Sequence, residues 1–415
     1  MQVSKVLIIE DLMRIKRIIY FIESPFCRRD FERFGIGIIK DNGFCVEIWD
    51  FTPFISPKTY NTIKVPDPID YQKNNCRIFM EKTEVIQEIK NLKQDTMIIL
   101  MMHFDYEHYF LYRELSKQNI SYAFIITNAI PVFKNIKTVN HFFKKYWPTN
   151  FTSKIKKLNL EMIKKYFFYR VPGFLQMIKF PDFIFTGGSV SLINYKLPIG
   201  KKTNIVWGHT LDYDLYLRDL RKSSNIKFKD EKYIVFCDGY LPLHPEWICD
   251  NEKPPITPEI YYPTMCNLFS KVEKETGLNV VIAAHPRSKY EELPDYFDGR
   301  KVLRGKTMEL IRDSEFVLMH GSTSLNFVVL YHKPVLFLTI HKIEQSRAFR
   351  NCSRVFSSEL NKGFIIIDSN YEIDWDKALK IDEEAYANYK EKYIKIRNSR
   401  EEFFWQIVAD EIKES

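Results

Sequence analysis

Two groups of polar residues follow strand-length apolar runs in the second half of the chain. The run NVVIAA ends in His285, Pro286 and Arg287. The later run EFVLMH ends at His320 and leads into a predicted helix through Gly321, Ser322, Thr323 and Ser324. Hydroxyls and free N–H groups at a helix start suit a phosphate, and an imidazole and a guanidinium on a neighbouring strand end would add charge-assisted hydrogen bonds. Each motif alone also fits an ordinary cap or turn, but together they predict a nucleotide-phosphate site.

An acid follows YIVFC, the first apolar run of the second half. Asp238 and Gly239 stand there, and His244 and Glu246 come a few residues later. A carboxylate in that place could take the proton of an attacking hydroxyl as a general base, or it could cap the following turn. We expect His244 and Glu246 either to contact an acceptor or to belong to the loop structure.

The segment WGHTLDYD carries a third polar group, formed by His209, Asp212 and Asp214. Three hypotheses remain for it: a metal site, a sugar-binding or hinge loop, and helix capping. No further His, Cys or Asp spacing completes a catalytic metal site, so we predict acceptor binding and no metal. The chain also lacks the dinucleotide, P-loop and hydrolase-elbow motifs, which argues against those enzyme classes.

Apolar runs of strand length alternate with helical patterns along the whole chain, which predicts parallel sheets covered on both faces. We expect helices over 30–40, 153–170, 258–276, 307–313, 325–332 and 383–413. The predicted strands are Arg17–Glu23, Cys45–Asp50, Met97–His103, Tyr122–Thr127, Asp182–Thr186, Tyr233–Cys237, Asn279–Ala284, Glu315–His320 and Pro334–Thr339. The predicted fold class is α/β, with two Rossmann-like, doubly wound domains facing a cleft.

A turn-rich, charged stretch at 221–230 is a candidate linker. It places an N-terminal, acceptor-binding domain over 1–222 and a C-terminal, donor-binding domain over 231–385. The last segment, 386–415, is predicted to be a helix that packs across both domains. Ligands of such folds lie at the carboxyl ends of the strands, so the polar residues at those ends matter most.

Composition limits the class of protein. The 415 residues are 45% hydrophobic and 27% charged, as in soluble globular proteins. The seven cysteines are scattered without a C-x-x-C pair, which favours free thiols in a reducing cytoplasm. No apolar run approaches the length of a membrane-spanning helix, and the N-terminus does not resemble a signal peptide. These features predict a soluble cytoplasmic protein.

One segment is unusually basic. Between residues 134 and 179, basic residues are interleaved with aromatic ones, and Glu161 is the only acid. The eleven bases are Lys134, Lys137, Lys144, Lys145, Lys154, Lys156, Lys157, Lys164, Lys165, Arg170 and Lys179. Such a segment can lie at an anionic membrane surface, attract nucleic acid, or simply form a solvated face. No nucleic-acid-binding motif accompanies it. We therefore predict peripheral contact with the inner membrane through 134–179, and no nucleic acid.

The pattern CDGYLPLHPE, VVIAAHPRS, TMELIRDS, VLMHGSTS and HKPVLFL, within about residues 231–340, resembles bacterial surface-polysaccharide glycosyltransferases. It is also similar to the bacterial sialyltransferases and to other transferases of CMP-activated nonulosonic acids. The resemblance implies a GT-B fold in which His285 and Pro286 contact the cytidine monophosphate and the hydroxyls of Ser322–Ser324 bind its phosphate. Asp238 and Gly239 match a motif that supplies the base, although Cys237 replaces the first of its two acids.

The resemblance implies a glycosyltransferase that moves a nonulosonic acid or Kdo-type sugar from a CMP-linked donor to a cell-surface glycan: capsule, O-antigen or lipooligosaccharide. His285 and Asp238 would be catalytic, and no metal or other cofactor would be needed. A GT-B transferase using a UDP-sugar or CDP-glycerol is the first alternative. A nucleotide-sugar epimerase or hydrolase of the same fold and a non-enzymatic sensor or scaffold remain as the others.

Overall fold

The computed structural model describes residues 14–62, 69–71, 73–127, 129–131, 168, 177–193, 197–222, 231–249, 252–346 and 352–415. The first half forms a parallel sheet of seven described strands in the order β3-β2-β1-β4-β5-β6-β7. Its strands are β1 (Arg17–Ile22), β2 (Cys45–Asp50), β3 (Cys76–Ile78), β4 (Thr96–Met101), β5 (Ser121–Ile126), β6 (Phe183–Thr186) and β7 (Asn204–Trp207).

The described helices of the first half connect these strands. They are α1 (Arg28–Arg33), α2 (Ile36–Asp41), α3 (Thr52–Ile55), α4 (Pro57–Thr62), α5 (Lys82–Lys90), α6 (Tyr109–Lys117) and α7 (Leu211–Arg221). The predicted helix over 153–170 lies outside the described residues except for Phe168, and most of the candidate linker does as well.

The second half forms a parallel sheet of six described strands in the order β10-β9-β8-β11-β12-β13. Its strands are β8 (Tyr233–Cys237), β9 (Asn279–Ala284), β10 (Val302–Arg304), β11 (Val317–Met319), β12 (Val335–Thr339) and β13 (Phe364–Ile366). Its described α-helices are α8 (Glu246–Cys249), α9 (Pro258–Thr276), α10 (Thr307–Asp313), α11 (Leu325–Leu330), α12 (His341–Gln345), α13 (Cys352–Glu359), α14 (Trp375–Leu379), α15 (Glu383–Tyr389) and α16 (Phe404–Glu414).

Both sheets are doubly wound. In the first, the strand order reverses between β1 and β4, and in the second it reverses between β8 and β11. The central strands are almost fully buried because helices cover both faces. The predicted α/β fold class with two Rossmann-like domains is therefore confirmed.

The helix predicted over 30–40 is interrupted at Gly35, between α1 and α2. Gly35 has a φ of +57°, a conformation that side chains disfavour. A Cβ atom there would lie 2.2 Å from Cγ of Trp405, so the position has no room for one. The interruption lets the indole of the C-terminal helix pack directly on the backbone, and its Nε1 donates a hydrogen bond to the Arg33 carbonyl at 2.8 Å.

The C-terminal helix crosses back onto the first sheet, as predicted. Besides the indole, α16 reaches α2 through Gln406 and Lys413, which donate hydrogen bonds to the side-chain oxygen of Asn42 at 3.1 and 2.7 Å. The prediction of one helix over 383–413 is wrong, because α15 continues as a π-helical turn (Lys390–Ile394) and residues 395–403 are not helical. Those residues instead contact His209 and α7 of the first half: Lys395 pairs with His209, Glu401 accepts a hydrogen bond from Tyr213, and Glu402 accepts one from Arg221. None of the described helices is long and apolar enough to cross a membrane.

Candidate functional site

The carboxyl ends of the two sheets face each other, and we call the region between them the crevice. Helix α4, which lies beyond the end of β2, contacts α8, which lies beyond the end of β8. The charge of Arg29, on α1 beyond the end of β1, also reaches His285, where it lowers the pKa of the imidazole. The predicted residues at strand ends therefore lie in one region between the halves, as expected for a GT-B fold.

Three strand ends of the second sheet carry the predicted donor residues. Asp238 follows β8, and His285 follows β9 on one side of it. Ser322 follows β11 on the other side, so β8 separates the two motifs that the sequence placed on neighbouring strands. At about 4.8 Å per strand, they are offset by roughly 10 Å across the sheet. The two motifs therefore do not lie on adjacent strands, contrary to the prediction from the sequence, and their binding of the same phosphate oxygens stays a prediction.

Asp238 is buried at the centre of this edge. Its carboxylate accepts hydrogen bonds from the Tyr290 hydroxyl at 2.7 Å and from the backbone N–H of Tyr240 at 3.0 Å. Burial raises the pKa of Asp238 to about 6, although these two donors and the N–H of His285 act in the opposite direction. The carboxylate therefore caps the following turn, and its role as a base stays a prediction.

His285 lies beside His244, with the two ring centroids 4.8 Å apart. Its Nδ1 accepts a hydrogen bond from the Arg287 N–H at 3.2 Å, which leaves the proton of a neutral imidazole on Nε2. Burial and the nearby His244, Arg287 and Arg29 lower the pKa of His285 to about 3. At neutral pH the imidazole is therefore an uncharged donor, and the predicted charge-assisted bond requires it to take up a proton when an anion binds.

Arg287 and the two predicted acceptor residues of this loop lie together. The Arg287 guanidinium forms an ion pair with Glu246, and Glu246 also lies near the His244 ring, at 3.6 Å. Pro286 separates His285 from Arg287 and is partly exposed. The structure thus places His244 and Glu246 beside the predicted donor residues His285 and Arg287, and acceptor contact through them stays a prediction.

His320 does not reach the crevice with either ring nitrogen. It is 6% exposed, its Nδ1 lies 2.9 Å from the carbonyl oxygen of Leu338, and its Nε2 lies 3.0 Å from the Tyr261 hydroxyl. Burial lowers its pKa to about 4. The prediction that His320 binds the nucleotide is corrected: it joins β11 to β12 and α9.

The hydroxyl cluster that follows is only partly accessible. Ser324 is buried beside the Cys237 thiol, whereas Ser322 and Thr323 are partly or fully exposed beyond Gly321. The Ser322 Oγ accepts a hydrogen bond from the Ser324 N–H at 3.2 Å. Helix α11 begins only at Leu325 and has six residues, so its dipole is small. Ser322 and Thr323 are the hydroxyls that can meet a ligand here.

The three residues of WGHTLDYD form internal contacts between segments. His209 is fully buried, and its Nε2 lies 2.8 Å from the Glu402 carbonyl oxygen. Asp214 accepts a hydrogen bond from the Phe404 N–H at 2.8 Å and so caps α16, while Asp212 accepts one from Asn326 on α11 at 2.9 Å. The prediction that these three side chains bind the acceptor is therefore corrected. They hold the C-terminal segment and α11 in place instead.

Metal binding and membrane contact were the other expectations. In the described ranges, no group of three or more His, Cys, Asp or Glu side chains is arranged to hold a metal ion. The basic stretch at 134–179 lies outside the described residues except for Phe168 and 177–179. Membrane contact through it stays a prediction.

Sequence analysis missed a cluster at the facing edge of the first sheet. Glu23 follows β1, and His103 lies two residues beyond β4, on the other side of the strand-order reversal. One oxygen of Glu23 accepts a hydrogen bond from the His103 N–H at 2.9 Å and lies 2.7 Å from Nδ1 of the same residue. The other lies 2.9 Å from Nε2 of His108, whose Nδ1 contacts Asp105.

The cluster alternates in charge, and this changes the pKa of each member. Burial alone would raise the pKa of Glu23, but His103 and His108 outweigh burial and bring it to about 2. Burial alone would lower the pKa of His108, but Asp105 and Glu23 outweigh burial and raise it to about 9. The Glu23 carboxylate also raises the pKa of His103, which is the exposed member of the cluster.

No protein-family model matches the chain, and no curated protein matches it. Among solved structures, the calicheamicin glycosyltransferase CalG4 has a TM-score of 0.49 at 8% identity, covering 97% of this chain and 98% of that one. The wall teichoic acid polymerase TagF has a TM-score of 0.48 at 12% identity, over 98% and 90% of the two chains. MurG of Acinetobacter baumannii has a TM-score of 0.46 at 9% identity, over 96% and 100%. This level of likeness indicates no reaction or substrate for the chain.

A signal for the missed cluster was present in the sequence. The predicted strands RIIYFIE and MIILMMH end at Glu23 and His103, the two residues that pair in the structure. His108 and Asp105 lack such a signal, because a loop rather than a strand places them.

Proposed function

We propose that the chain is a glycosyltransferase with a nucleotide-activated donor, held at the edge of the second sheet by His285, Arg287, Ser322 and Thr323. The observation that carries this proposal is the convergence of the strand ends of β8, β9 and β11 on a crevice bounded by the first sheet. Parallel α/β sheets bind ligands at such ends, next to the strand-order reversal. The acceptor would lie on the opposite side, against the first sheet.

The residues at this edge suit the departure of a phosphate. Nε2 of His285 offers a neutral N–H, and a nearby anion would raise the pKa of the imidazole, so that nucleotide binding takes up a proton. Arg287 forms an ion pair with the exposed Glu246, and its guanidinium can turn to bind the phosphate as well. Ser322 and Thr323 supply hydroxyls from the other side of β8. Stabilising the leaving group in this way lowers the barrier to sugar transfer.

The donor follows from the family resemblance rather than from these contacts. A CMP-linked nonulosonic acid or Kdo-type sugar is the main hypothesis, and UDP-sugars and CDP-glycerol fit the same edge equally well. Each presents phosphate oxygens to the flanking motifs, and they differ in having one phosphate or two. The panel of nucleotides below is chosen to separate them.

The test is a thermal-shift panel of CMP, CDP, UDP and GDP. We expect a pyrimidine nucleotide to raise the melting temperature, to do so more strongly at pH 6 than at pH 8, and to act equally well with EDTA present. The Arg287→Gln variant should lose most of the shift. Arg400→Gln is the matched control, since Arg400 also pairs with one carboxylate but lies beside α16.

Absence of any nucleotide shift in the wild type would contradict the proposal. A response to CMP alone would favour the sialyltransferase-like donor, and a larger response to UDP or CDP would replace it with the alternative donors. Loss of the shift in both arginine variants would show a general charge effect instead of a site at this edge.

A glycosyltransferase needs a glycan acceptor, whereas an epimerase or hydrolase of the same fold does not. We expect release of nucleotide from the bound donor to accelerate when a glycan or alcohol acceptor is added, with the sugar appearing on the acceptor. An epimerised sugar without any transfer would favour the epimerase hypothesis. Nucleotide binding without turnover of any donor would favour a sensor or scaffold.

Contact with the inner-membrane surface through 134–179 is part of the proposal, since a lipid-linked glycan acceptor would be presented there. Liposomes with anionic lipid should sediment the wild type but not a variant with Lys154, Lys156, Lys157, Lys164 and Lys165 neutralised. The control neutralises five lysines of the second half: Lys274, Lys301, Lys306, Lys342 and Lys377. Equal sedimentation of all three proteins would exclude this role for the segment.

A further inference from the structure

We infer that His103 is the general base that takes the proton from the acceptor hydroxyl, with Glu23 as its positioning residue. The inference deepens the proposed function and rests on it. It assigns the base to the first half of the chain, opposite the donor edge, and leaves Asp238 a structural role.

The orientation of the imidazole is the first reason. Nδ1 of His103 lies 2.7 Å from the Glu23 carboxylate, and the backbone N–H of the same residue donates to the same oxygen at 2.9 Å. Two contacts to one oxygen hold the residue in place and put the ring proton on Nδ1. Nε2 is then the atom with a free lone pair, and the side chain is 75% exposed. A base needs this combination of a fixed ring and an open nitrogen.

The support behind Glu23 is the second reason. The second carboxylate oxygen lies 2.9 Å from Nε2 of His108, a side chain that is 2% exposed and is held from its other nitrogen by Asp105. The hydroxyl of Tyr112 donates a hydrogen bond to the His103 carbonyl at 2.6 Å, which fixes the backbone as well. Glu23 thus stays ionised, and it can stabilise the imidazolium that forms on His103.

The place of the cluster is the third reason. Glu23 and His103 follow β1 and β4, the two strands between which the order of the first sheet reverses. The chain that leaves Glu23 continues directly into α1, where Arg29 lies close enough to His285 for its charge to be felt. The short segment from Glu23 to Arg29 therefore runs from the cluster toward the predicted donor residues on the other side of the crevice.

Asp238 is less suited to the task. It is 6% exposed, and its carboxylate accepts hydrogen bonds from Tyr290 and from the Tyr240 N–H. A hydroxyl of an acceptor would have to displace these donors to reach it. The same contacts explain Asp238 well as the residue that joins the turn after β8 to Tyr290 beyond β9.

The step balances without any further reactant. The acceptor oxygen forms a bond to the anomeric carbon while the bond from that carbon to the donor phosphate oxygen breaks. The electron pair of the broken bond goes to the phosphate, and the hydroxyl proton goes to Nε2 of His103 and from there to solvent. The negative charge of Glu23 stabilises the positive charge that appears on the ring.

The test compares His103→Asn with His332→Asn. His332 is also an exposed histidine, and its Nε2 lies 3.0 Å from Glu383, but it precedes β12 and so lies at the amino ends of the strands of the second sheet. The probe is whichever CMP-, UDP- or CDP-linked donor gives the largest thermal shift, with release of nucleotide measured in water and in glycerol. His103→Asn should lose about 100-fold in rate with its thermal shift unchanged, and His332→Asn should lose neither.

Glu23→Gln supplies a readout that a merely structural role would not move. The charged groups facing His103 are Glu23, Asp105 and His108, and removing the first should lower the pKa of the imidazole. The acidic limb of the kcat/KM profile should therefore move to lower pH, as should the His103 titration followed by NMR in the same variant.

The outcomes separate this inference from the proposed function. Failure of the wild type to bind any nucleotide would contradict the function itself, and the base assignment would fall with it. Nucleotide release at the wild-type rate by His103→Asn would overturn the base assignment alone. Binding by the wild type without release in water or glycerol would also count against it, because a base beside the donor would activate either hydroxyl.

Discussion

The two facing edges of the molecule treat histidine in opposite ways. At the edge of the first sheet, His103 and His108 have raised pKa values, to about 9 for the latter. At the edge of the second sheet, His285 and His320 have pKa values lowered to about 3 and about 4. Carboxylates thus favour the charged form of histidine on one side of the crevice, most strongly at His108, while burial and nearby cations favour the neutral form on the other.

The neighbours account for this difference, since members of both pairs are buried. His108 and His320 are both almost inaccessible, but His108 contacts two carboxylates, whereas His320 contacts a carbonyl and a phenol. Carboxylates more than offset the cost of burying the imidazolium, and neutral partners do not.

Removing the carboxylate at the centre of the first cluster should have the largest effect. Glu23→Gln leaves the imidazolium of the buried His108 with one partner, so we expect a loss of about 3 kcal/mol in the free energy of unfolding at pH 7. Urea denaturation measures it. Glu88→Gln removes an exposed ion pair with Arg77 and should cost less than about 1 kcal/mol. Equal costs would mean that the first cluster is not buried and coupled as described.

Replacing His320, the buried neutral histidine of the second sheet, should have the next largest effect on the free energy of unfolding. His320→Leu keeps the apolar volume but leaves the buried Tyr261 hydroxyl without its partner, while the Leu338 carbonyl keeps its hydrogen bond from the Ser353 hydroxyl. We expect a cost of about 2 kcal/mol in unfolding free energy. Nucleotide-induced thermal shifts should persist, because neither ring nitrogen reaches the crevice. A stable variant that binds no nucleotide would restore His320 to the donor site.

The sequence was most informative where strands are central. The bounds predicted for β2, β8 and β9 agree with the structure, because each is a mostly apolar, strand-length run next to turn signals. The strands β3, β10 and β13 were missed, since they are three residues long, lie at sheet edges and are only partly buried. Their short, mixed sequences carry no periodic signal.

The candidate site was predictable to the level of strand ends and no further. His285 and Asp238 lie where the apolar runs that precede them end. Which hydrogen bonds they form depends on residues distant in sequence, such as Tyr290 for Asp238. The same holds for His209 and Asp214, whose partners lie in the C-terminal segment nearly two hundred residues later. Spacing within one segment cannot show a partner that the fold supplies.

Replacing Asp238, the carboxylate at the edge of the second sheet, should change the free energy of unfolding by a smaller amount and with the opposite sign. The pKa of Asp238 is raised from 3.8 to about 6, so folding disfavours its ionised form, and that cost is complete above pH 6 and fades as the pH falls toward 4. Asp238→Asn removes the charge, and we expect a gain of about 1 kcal/mol at pH 8 after allowing for weaker hydrogen bonds. Urea denaturation at pH 8 and pH 4.5 should show the gain only at the higher pH; a loss at both would mean that the hydrogen bonds of Asp238 dominate.

The smallest expected effect tests the facing of the two edges most directly. Arg29 belongs to the first half, yet its positive charge is among the causes that lower the pKa of His285 in the second. Arg29→Gln should therefore raise that pKa by a fraction of a pH unit, seen as an earlier onset of the imidazole Hε1 titration by NMR between pH 7 and pH 4. Arg28→Gln removes a similar exposed charge one residue away and should leave the titration unchanged. Because a Coulomb interaction in a crevice decays with distance and salt, the shift should also shrink at 0.5 M salt. A titration that responds to neither variant would mean that the edges lie too far apart in solution to share a donor and an acceptor.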